Sequence, residues 1–574
     1  MRSTYLCAAG LSAAILIGCG GGGGDDAPVV AAPVAPAAIT CSTSAAQLTK
    51  TTLKVAGVDR EYYDSAPVNY AALRENDARG ITVLVNFHDA GQSGQDGAAS
   101  TCWNEVGAEK GFVTVFPSAL SGNWNSKSAA SGSDEVAFLK AMLPAIKAKY
   151  ALATNAMVYY TGIGQGARMA HAMAMQAPQF LGGVAGVGGT AEAEVFALPA
   201  TQLPTTTIAA WIIRRSATEV DPTEAQQVAY WNKQNAVFTP PTAQAETSFT
   251  SQVFSSPDQP AQRVKVSTMN LSGYAGKAVS EEIWEGMFGK TVRFFDDDRK
   301  NGTVVPNLSI ADMKLLESSK EFVAGSPRRW LTYLPSNYAA LTASGAKLPL
   351  VLSLHGRNGS ARWQAITSQW HLVAEQKGFI VVYPQGTGAT WSGSIGNDNP
   401  DVAFMLSLIA ELRAQYAVDP TRIYMNGASM GSFMTNRMAV QYPLLFAAIA
   451  PCYSGHLSPA NYANTAIVRT DVPMPAWLCR GQDEVPSDFP GGAAGEAASQ
   501  VFWRDTVNKS TGLPTLQLDG RKVTQIWNSG VAEYRWQVTE YQPHFWHEGQ
   551  AQKIWDEMFS KYQRAANGQL VKLP

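Results

Sequence analysis

The sequence predicts two tandem α/β domains, each a mostly parallel sheet flanked by helices. Three observations carry that expectation. The first is an internal repeat. Val55-Ala56-Gly57 returns as Val323-Ala324-Gly325, Val136-Ala137-Phe138 as Val402-Ala403-Phe404, Gly162 and Gly166 as Gly427 and Gly431, and Ile283-Trp284 as Ile554-Trp555. The order is kept, and the offset drifts only between 265 (427 − 162) and 271 (554 − 283) residues, as small loop insertions would produce. The second is alternation within each copy: short apolar runs suited to buried strands are separated by amphipathic stretches, the pattern of a parallel sheet covered on both faces. The third is composition. Of 574 residues, 46% are hydrophobic and 16% charged, which supplies two large cores and excludes a mostly disordered chain. Lys plus Arg (44) nearly balances Asp plus Glu (46), so no basic excess exists to neutralise phosphates and no nucleic-acid partner is expected.

The segments follow in order. Residues 1–18 read as a secretory signal: Arg2, then an apolar run from Leu6 to Ile17. Leu16-Ile17-Gly18-Cys19 resembles a bacterial lipobox, which implies lipidation of Cys19 and a membrane anchor. Residues 19–40, rich in Gly, Ala and Pro, then form a flexible tether. The expected location is outside the cytoplasm, anchored at an outer membrane or cell surface, or secreted. Residues 41–295 are the first copy, 296–307 a polar linker and 308–574 the second copy. After Cys7 and Cys19, four cysteines remain. Cys41, Cys102, Cys452 and Cys479 allow three pairings, of which Cys41–Cys102 with Cys452–Cys479 keeps each bridge within one copy. No close Cys-x-x-Cys is present, so no metal site is expected. In the second copy, Leu348–Leu354 reads as a strand, 364–376 as helix, 378–383 as strand, 402–415 as helix, 422–426 as strand and 432–441 as helix. Toward the end, 533–541 reads as strand and 550–562 as the final helix.

Gly427-Ala428-Ser429-Met430-Gly431 sits between one such strand and helix. Glycines on both sides leave room for a sharp turn that exposes a serine, and the helix N-terminus supplies N–H groups for a developing oxyanion. Serine needs a base. Downstream of Ser429 stand only His456, His544 and His547. His456 precedes any plausible strand-end acid. His544 follows a strand and precedes the last helix, where the base belongs, and His547 is the alternative. The acid should end the preceding strand, Ala476 to Cys479. Asp483 is the choice and Glu484 its competitor, since either carboxylate can orient the imidazole. Oxyanion donors are expected from the backbone of Met430 and of Arg357, the latter in the turn His355-Gly356-Arg357. Trp391, Trp546 and Tyr383 are expected to line the substrate pocket.

His355-Gly356, Tyr383-Pro384, Trp391, Asp419-Pro420, Arg422-Ile423-Tyr424, the Gly427–Gly431 turn, Tyr442-Pro443 and His544-x-Trp546 together resemble the poly(3-hydroxybutyrate) depolymerase-like and feruloyl esterase family of α/β-hydrolases. The resemblance covers most of residues 325–562. It implies two tandem α/β-hydrolase domains. It implies a serine carboxylesterase acting on a polyhydroxyalkanoate-type polyester or a feruloyl-type ester, with Ser429, His544 and Asp483 as catalytic triad and no cofactor. The first copy departs from the pattern. Gly164 stands at the nucleophile position, Ala217 opposite Asp483 and Gly273 opposite His544, and no histidine lies between His171 and His355. The first copy is therefore expected to fold like a hydrolase without serine chemistry. Competing expectations are a non-catalytic binding lipoprotein or a peptidase.

Overall fold

The computed structural model describes Cys41 and residues 47–574, apart from 78–80, 127–134, 153–155, 179, 257–258, 271–274, 295–302, 324, 395, 397, 541, 543, 545 and 547–548. The signal segment, Cys19, the tether, Gly273 and His547 lie outside the described residues. Among the described residues, no helix is long and apolar enough to cross a membrane.

The first domain contributes β1 (Thr49–Val55), β2 (Val58–Ser65), β3 (Val83–Phe87), β4 (Val113–Pro117), β5 (Val158–Ile163), β6 (Leu181–Val187), β7 (Ala209–Arg214), β8 (Thr242–Ala245), β9 (Phe249–Ser256), β10 (Gln259–Met269), β11 (Thr291–Phe294) and β12 (Thr303–Pro306). The second contributes β13 (Leu316–Val323), β14 (Ser326–Tyr333), β15 (Leu348–Leu354), β16 (Ile380–Pro384), β17 (Val418–Ala428), β18 (Ala448–Cys452), β19 (Ala476–Gly481), β20 (Thr515–Asp519), β21 (Lys522–Trp527), β22 (Tyr534–Thr539), β23 (Tyr562–Arg564) and β24 (Leu570–Lys572). Among these residues the first sheet runs β1-β2-β4-β3-β5-β6-β7-β10-β9-β8 and the second β13-β14-β16-β15-β17-β18-β19-β22-β21-β20. The two orders are the same topology, so the sequence repeat is a structural one. The middle of each sheet is parallel and antiparallel pairs close both edges.

Continuous apolar runs make these strands because both faces are covered. Leu350, Leu352 and Leu354 enter one core and Val351 the other. Val83, Val85 and Phe87 split from Leu84 in the same way. Part of the segment read as linker is structural: β12 pairs antiparallel with β11. Val304 packs into a core of the first domain, while Val292 and Val305 pack into a core of the second, so this two-stranded ribbon joins the halves. The cysteines pair as Cys41–Cys102 and Cys452–Cys479.

Two helices differ from expectation. The stretch read as one helix over 364–376 is two, Ala361–Ser368 and Trp370–Lys377, broken at Gln369, whose φ of 55° is left-handed. The final helix ends at Glu557 rather than Tyr562, because the chain turns there to feed β23.

Candidate active site

The turn after β17 is held by contact at the backbone. Ser429 has φ 58° and ψ −118°, between β17 and helix Met430–Gln441. A Cβ at Gly427 would lie 2.3 Å from the Gly431 carbonyl carbon, and one at Gly431 would lie 2.3 Å from Leu354 O, so only glycine fits either place. Ser429 N–H donates to the carbonyls of Cys452 (3.2 Å) and Tyr453 (3.1 Å) at the end of β18. Tyr453, Ser454 and Gly455 all have positive φ and wrap the turn from below. A strained backbone fixed by packing on every side is a device for holding one side chain in place.

The imidazole Nδ1 of His544 lies 2.8 Å from Glu484 Oε2. The same oxygen accepts from Ser454 Oγ (2.7 Å), and Oε1 accepts from the backbone N–H of Gly481 (2.6 Å). Glu484 is therefore buried with its oxygens engaged, and Nε2 is the ring nitrogen of His544 that this contact leaves over. Asp483, the acid chosen from sequence, is exposed, and its backbone N–H donates to Gln542 O. The chain folds back on Gly481 just after β19, which turns Glu484 inward and Asp483 to solvent. Phe489, in the loop beyond, stacks on the His544 ring with centroids 3.8 Å apart and planes 19° apart. Ser429 and His544 line one small cleft of about 30 Å³ together with Gly356, Trp363, Tyr453 and Trp546.

Of the aromatics expected in the pocket, Trp546 lines this cleft. Trp391 and Tyr383 do not, which corrects the sequence expectation. Trp391 is buried in the core and donates its indole N–H to His355 O (2.8 Å). Tyr383 lies on β16 inside the other core, and its hydroxyl accepts from His371 N–H (3.0 Å). His355 is structural as well. Its Nδ1 meets Gly356 O (2.7 Å) and its Nε2 accepts from Gly386 N–H (3.0 Å), which fixes the tautomer and shapes the turn carrying Gly356 and Arg357. His456 is buried, and burial with Arg480 nearby pushes it down to about 4. It packs and does not reach the cleft. The Cys452–Cys479 bridge ties the strand end that holds Ser429 to the strand that leads to Glu484.

The first domain keeps the scaffold of this site. Gly164 has φ 55° and ψ −116°, the backbone of Ser429 without its side chain. His88 repeats the bonds of His355, to Asp89 O (2.7 Å) and from Ala119 N–H (3.0 Å), and Trp124 donates to His88 O (2.8 Å). Asp89 stands where the second domain has Gly356. Its Oδ1 accepts from Ala90 N–H (2.7 Å) and from Gln165 N–H (2.9 Å). These two donors correspond to Arg357 (357 − 90 = 267) and Met430 (430 − 165 = 265). A negatively charged oxygen thus already sits between the pair of N–H groups expected to form the oxyanion hole, and a Cβ at Gly164 would lie 2.2 Å from it. Ala217 and Thr218, opposite the acid loop, are exposed.

Ser454, Phe489, Trp363 and Tyr453 were not singled out from sequence. The only local signal was Tyr453-Ser454-Gly455 directly after an apolar run, a strand-end turn beside the serine turn.

Residues 330–474 match the family described as Esterase PHB depolymerase. A bifunctional acetylxylan esterase/xylanase of Neocallimastix patriciarum is 32% identical over 145 residues, 25% of this chain and 20% of that protein. Probable acetylxylan esterase A of Neosartorya fischeri is 34% identical over 140 residues, 23% of this chain and 36% of that protein. Poly(3-hydroxyalkanoate) depolymerase C of Paucimonas lemoignei is 33% identical over 131 residues, 21% of this chain and 31% of that protein. The matched region therefore spans about a fifth to a third of these relatives. Among solved structures, an acetyl xylan esterase from Aspergillus awamori aligns with a TM-score of 0.35 at 17% identity, over 43% of this chain and 98% of that one.

Proposed function

We propose that residues 308–574 form an extracytoplasmic serine carboxylesterase with Ser429, His544 and Glu484 as its triad. One observation carries the reading: a buried carboxylate on His544 Nδ1, with that imidazole and a strained-turn serine lining a single cleft. Transfer of the Ser429 proton needs a hydrogen bond from its Oγ to His544 Nε2. Such contacts commonly tighten only when substrate is bound.

In the proposed reaction Ser429 Oγ attacks the acyl carbon and His544 Nε2 takes its proton. Glu484 stabilises the imidazolium, and the N–H groups of Met430 and Arg357 hold the oxyanion. The imidazolium protonates the leaving alcohol. Water, deprotonated by the same nitrogen, then releases the acid and restores the serine. The Asp89 carboxylate held by the equivalent donors of the first domain supports the two oxyanion assignments.

The walls that Trp363 and Trp546 raise beside Ser429 favour a small acyl group, in line with the acetylxylan esterases among the relatives. Polyester and feruloyl-type esters are the second reading, the former supported by the depolymerase relative. The test is an ester panel on the full chain: p-nitrophenyl acetate, p-nitrophenyl butyrate, methyl ferulate and a hydroxyalkanoate film. Acetate is expected to turn over fastest. Preference for the film or the ferulate would move the assignment to the second reading. No turnover, together with no labelling of Ser429 by a phosphonate, would leave a binding protein. Cleavage of a matched amide at a comparable rate would make it a peptidase. The lipid anchor at Cys19 is tested by mass measurement of the mature N-terminus.

A further inference from the structure

One cavity lies in the first domain, and neither Gly164 nor Ala217 lines it. Its volume is about 890 Å³, within the range of small-molecule sites. It opens between helix Glu135–Lys149 and the C-terminal end of helix Gln165–Gln176. The floor is apolar, with Leu143, Leu152, Met173 and Phe180, while Lys140 and Lys147 stand on the same wall. Positions 140, 143, 144 and 147 share one helix face by spacing.

The second domain shows what made this space. Its helix Pro400–Gln415 aligns without gaps (402 − 136 = 266), so Lys140 corresponds to Leu406 and Pro144 to Ala410. Ala177, the residue ending helix Gln165–Gln176, corresponds to Tyr442, which ends helix Met430–Gln441. Leu406 and Tyr442 both pack against the second domain's core. In the first domain an aromatic ring is reduced to a methyl, a leucine becomes a cation, and a mid-helix proline removes a hydrogen bond at the cavity wall. Lys147 corresponds to Arg413 (413 − 147 = 266), so one rim cation is shared by both domains and Lys140 adds a second.

We infer that this cavity is a binding site for an amphiphilic carboxylate, with its alkyl chain on the apolar floor and its carboxylate between Lys140 and Lys147. Lys147 Nζ lies 4.4 Å from the Phe180 ring centroid, so the cation sits where floor and rim meet. Burial pushes its ammonium down to about 8. The first domain thereby gains a role that needs no nucleophile.

The test is calorimetric titration of the full chain carrying Ser429→Ala, with decanoate and with decanol. Decanoate is expected to bind saturably at one site, and Ala177→Tyr, which restores the second domain's ring, to weaken it by about tenfold or more. Lys140→Leu with Lys147→Gln is expected to weaken decanoate several-fold and leave decanol unchanged. In the Ser429-bearing chain, Ala177→Tyr is expected to keep ester turnover and thermal stability, which separates a filled cavity from a misfolded domain. No saturable decanoate binding, equal binding by the Ala177→Tyr chain, or decanol binding as tightly as decanoate would each overturn the inference. Because Ser429→Ala is the background, the esterase proposal can fail without affecting this result.

Discussion

The two domains share one topology, one serine-turn backbone and one histidine-tryptophan brace, yet differ in what fills the space above the turn. In the second, Gly356 lines a cleft with Ser429, and a Cβ there would lie 3.1 Å from that of Ser429. In the first, the Asp89 carboxylate occupies the matching N–H pair and Gly164 carries nothing to attack with. The strained turn has outlived the side chain it would hold. It is built from backbone contacts between strand and helix, so removing it would disturb the core, whereas removing a hydroxyl costs the fold nothing.

Several experiments can break or sharpen that contrast. The largest expected effect is from Ser429→Ala, which should lower kcat by about 10⁴-fold or more. Next is the acid. Glu484→Gln should lower kcat by about 10²–10⁴-fold, while Asp483→Asn at the exposed neighbour should leave it within about twofold. The reverse pattern would refute the geometric assignment. Gly356→Asp should crowd a carboxylate against Ser429, whose Cβ denies it the pose Asp89 takes beside Gly164, and lower kcat by about 10²–10³-fold. A chain that turns over normally with this change would place the oxyanion elsewhere. Replacing Cys452 and Cys479 together by Ala should cost about 2–4 kcal/mol, read by denaturant unfolding.

The smallest effect concerns pH. Burial pushes His171, His371 and His456 from 6.5 to about 4. Their neutral forms fit the fold, so this contribution is complete above about 6.5 and is lost as pH falls toward 4, where the unfolded chain takes up protons first. His171 has no partner on either ring nitrogen among the described residues, and nor does Trp231 Nε1. The second domain has Asn436 at the matching place (436 − 171 = 265), accepting from Trp503 Nε1 (2.9 Å). His171→Asn should therefore flatten the acid side of the thermal stability profile. A chain with unchanged acid sensitivity would remove His171 from the account.

How much was legible follows from the range of the physics. The run Leu348–Leu354 predicts a buried strand with the ends observed, because a continuous apolar run between polar turns has few other uses. The serine turn was legible as glycines two residues either side of a serine between a strand and a helix, although the contact that requires Gly431 is with the distant Leu354 O. The break at Gln369 was not, since no glycine or proline marks it and the neighbouring turns impose it. Trp391 and Tyr383 resemble pocket aromatics in composition, yet the register of β16 and the brace to His355 bury both.

Taken alone, the sequence determined the doubling, the strand–helix alternation, the position of Ser429 and the absence of equivalent side chains from the first copy. Those are matters of residue identity and local period. Tertiary structure decided which of two adjacent carboxylates meets His544. It brought Ser454 and Phe489 to that acid and that ring, and it placed Asp89 on the N–H pair of a vacant turn. Each of these depends on where a loop doubles back in space, and a direction of that kind is set by packing between segments 30 to 80 residues apart.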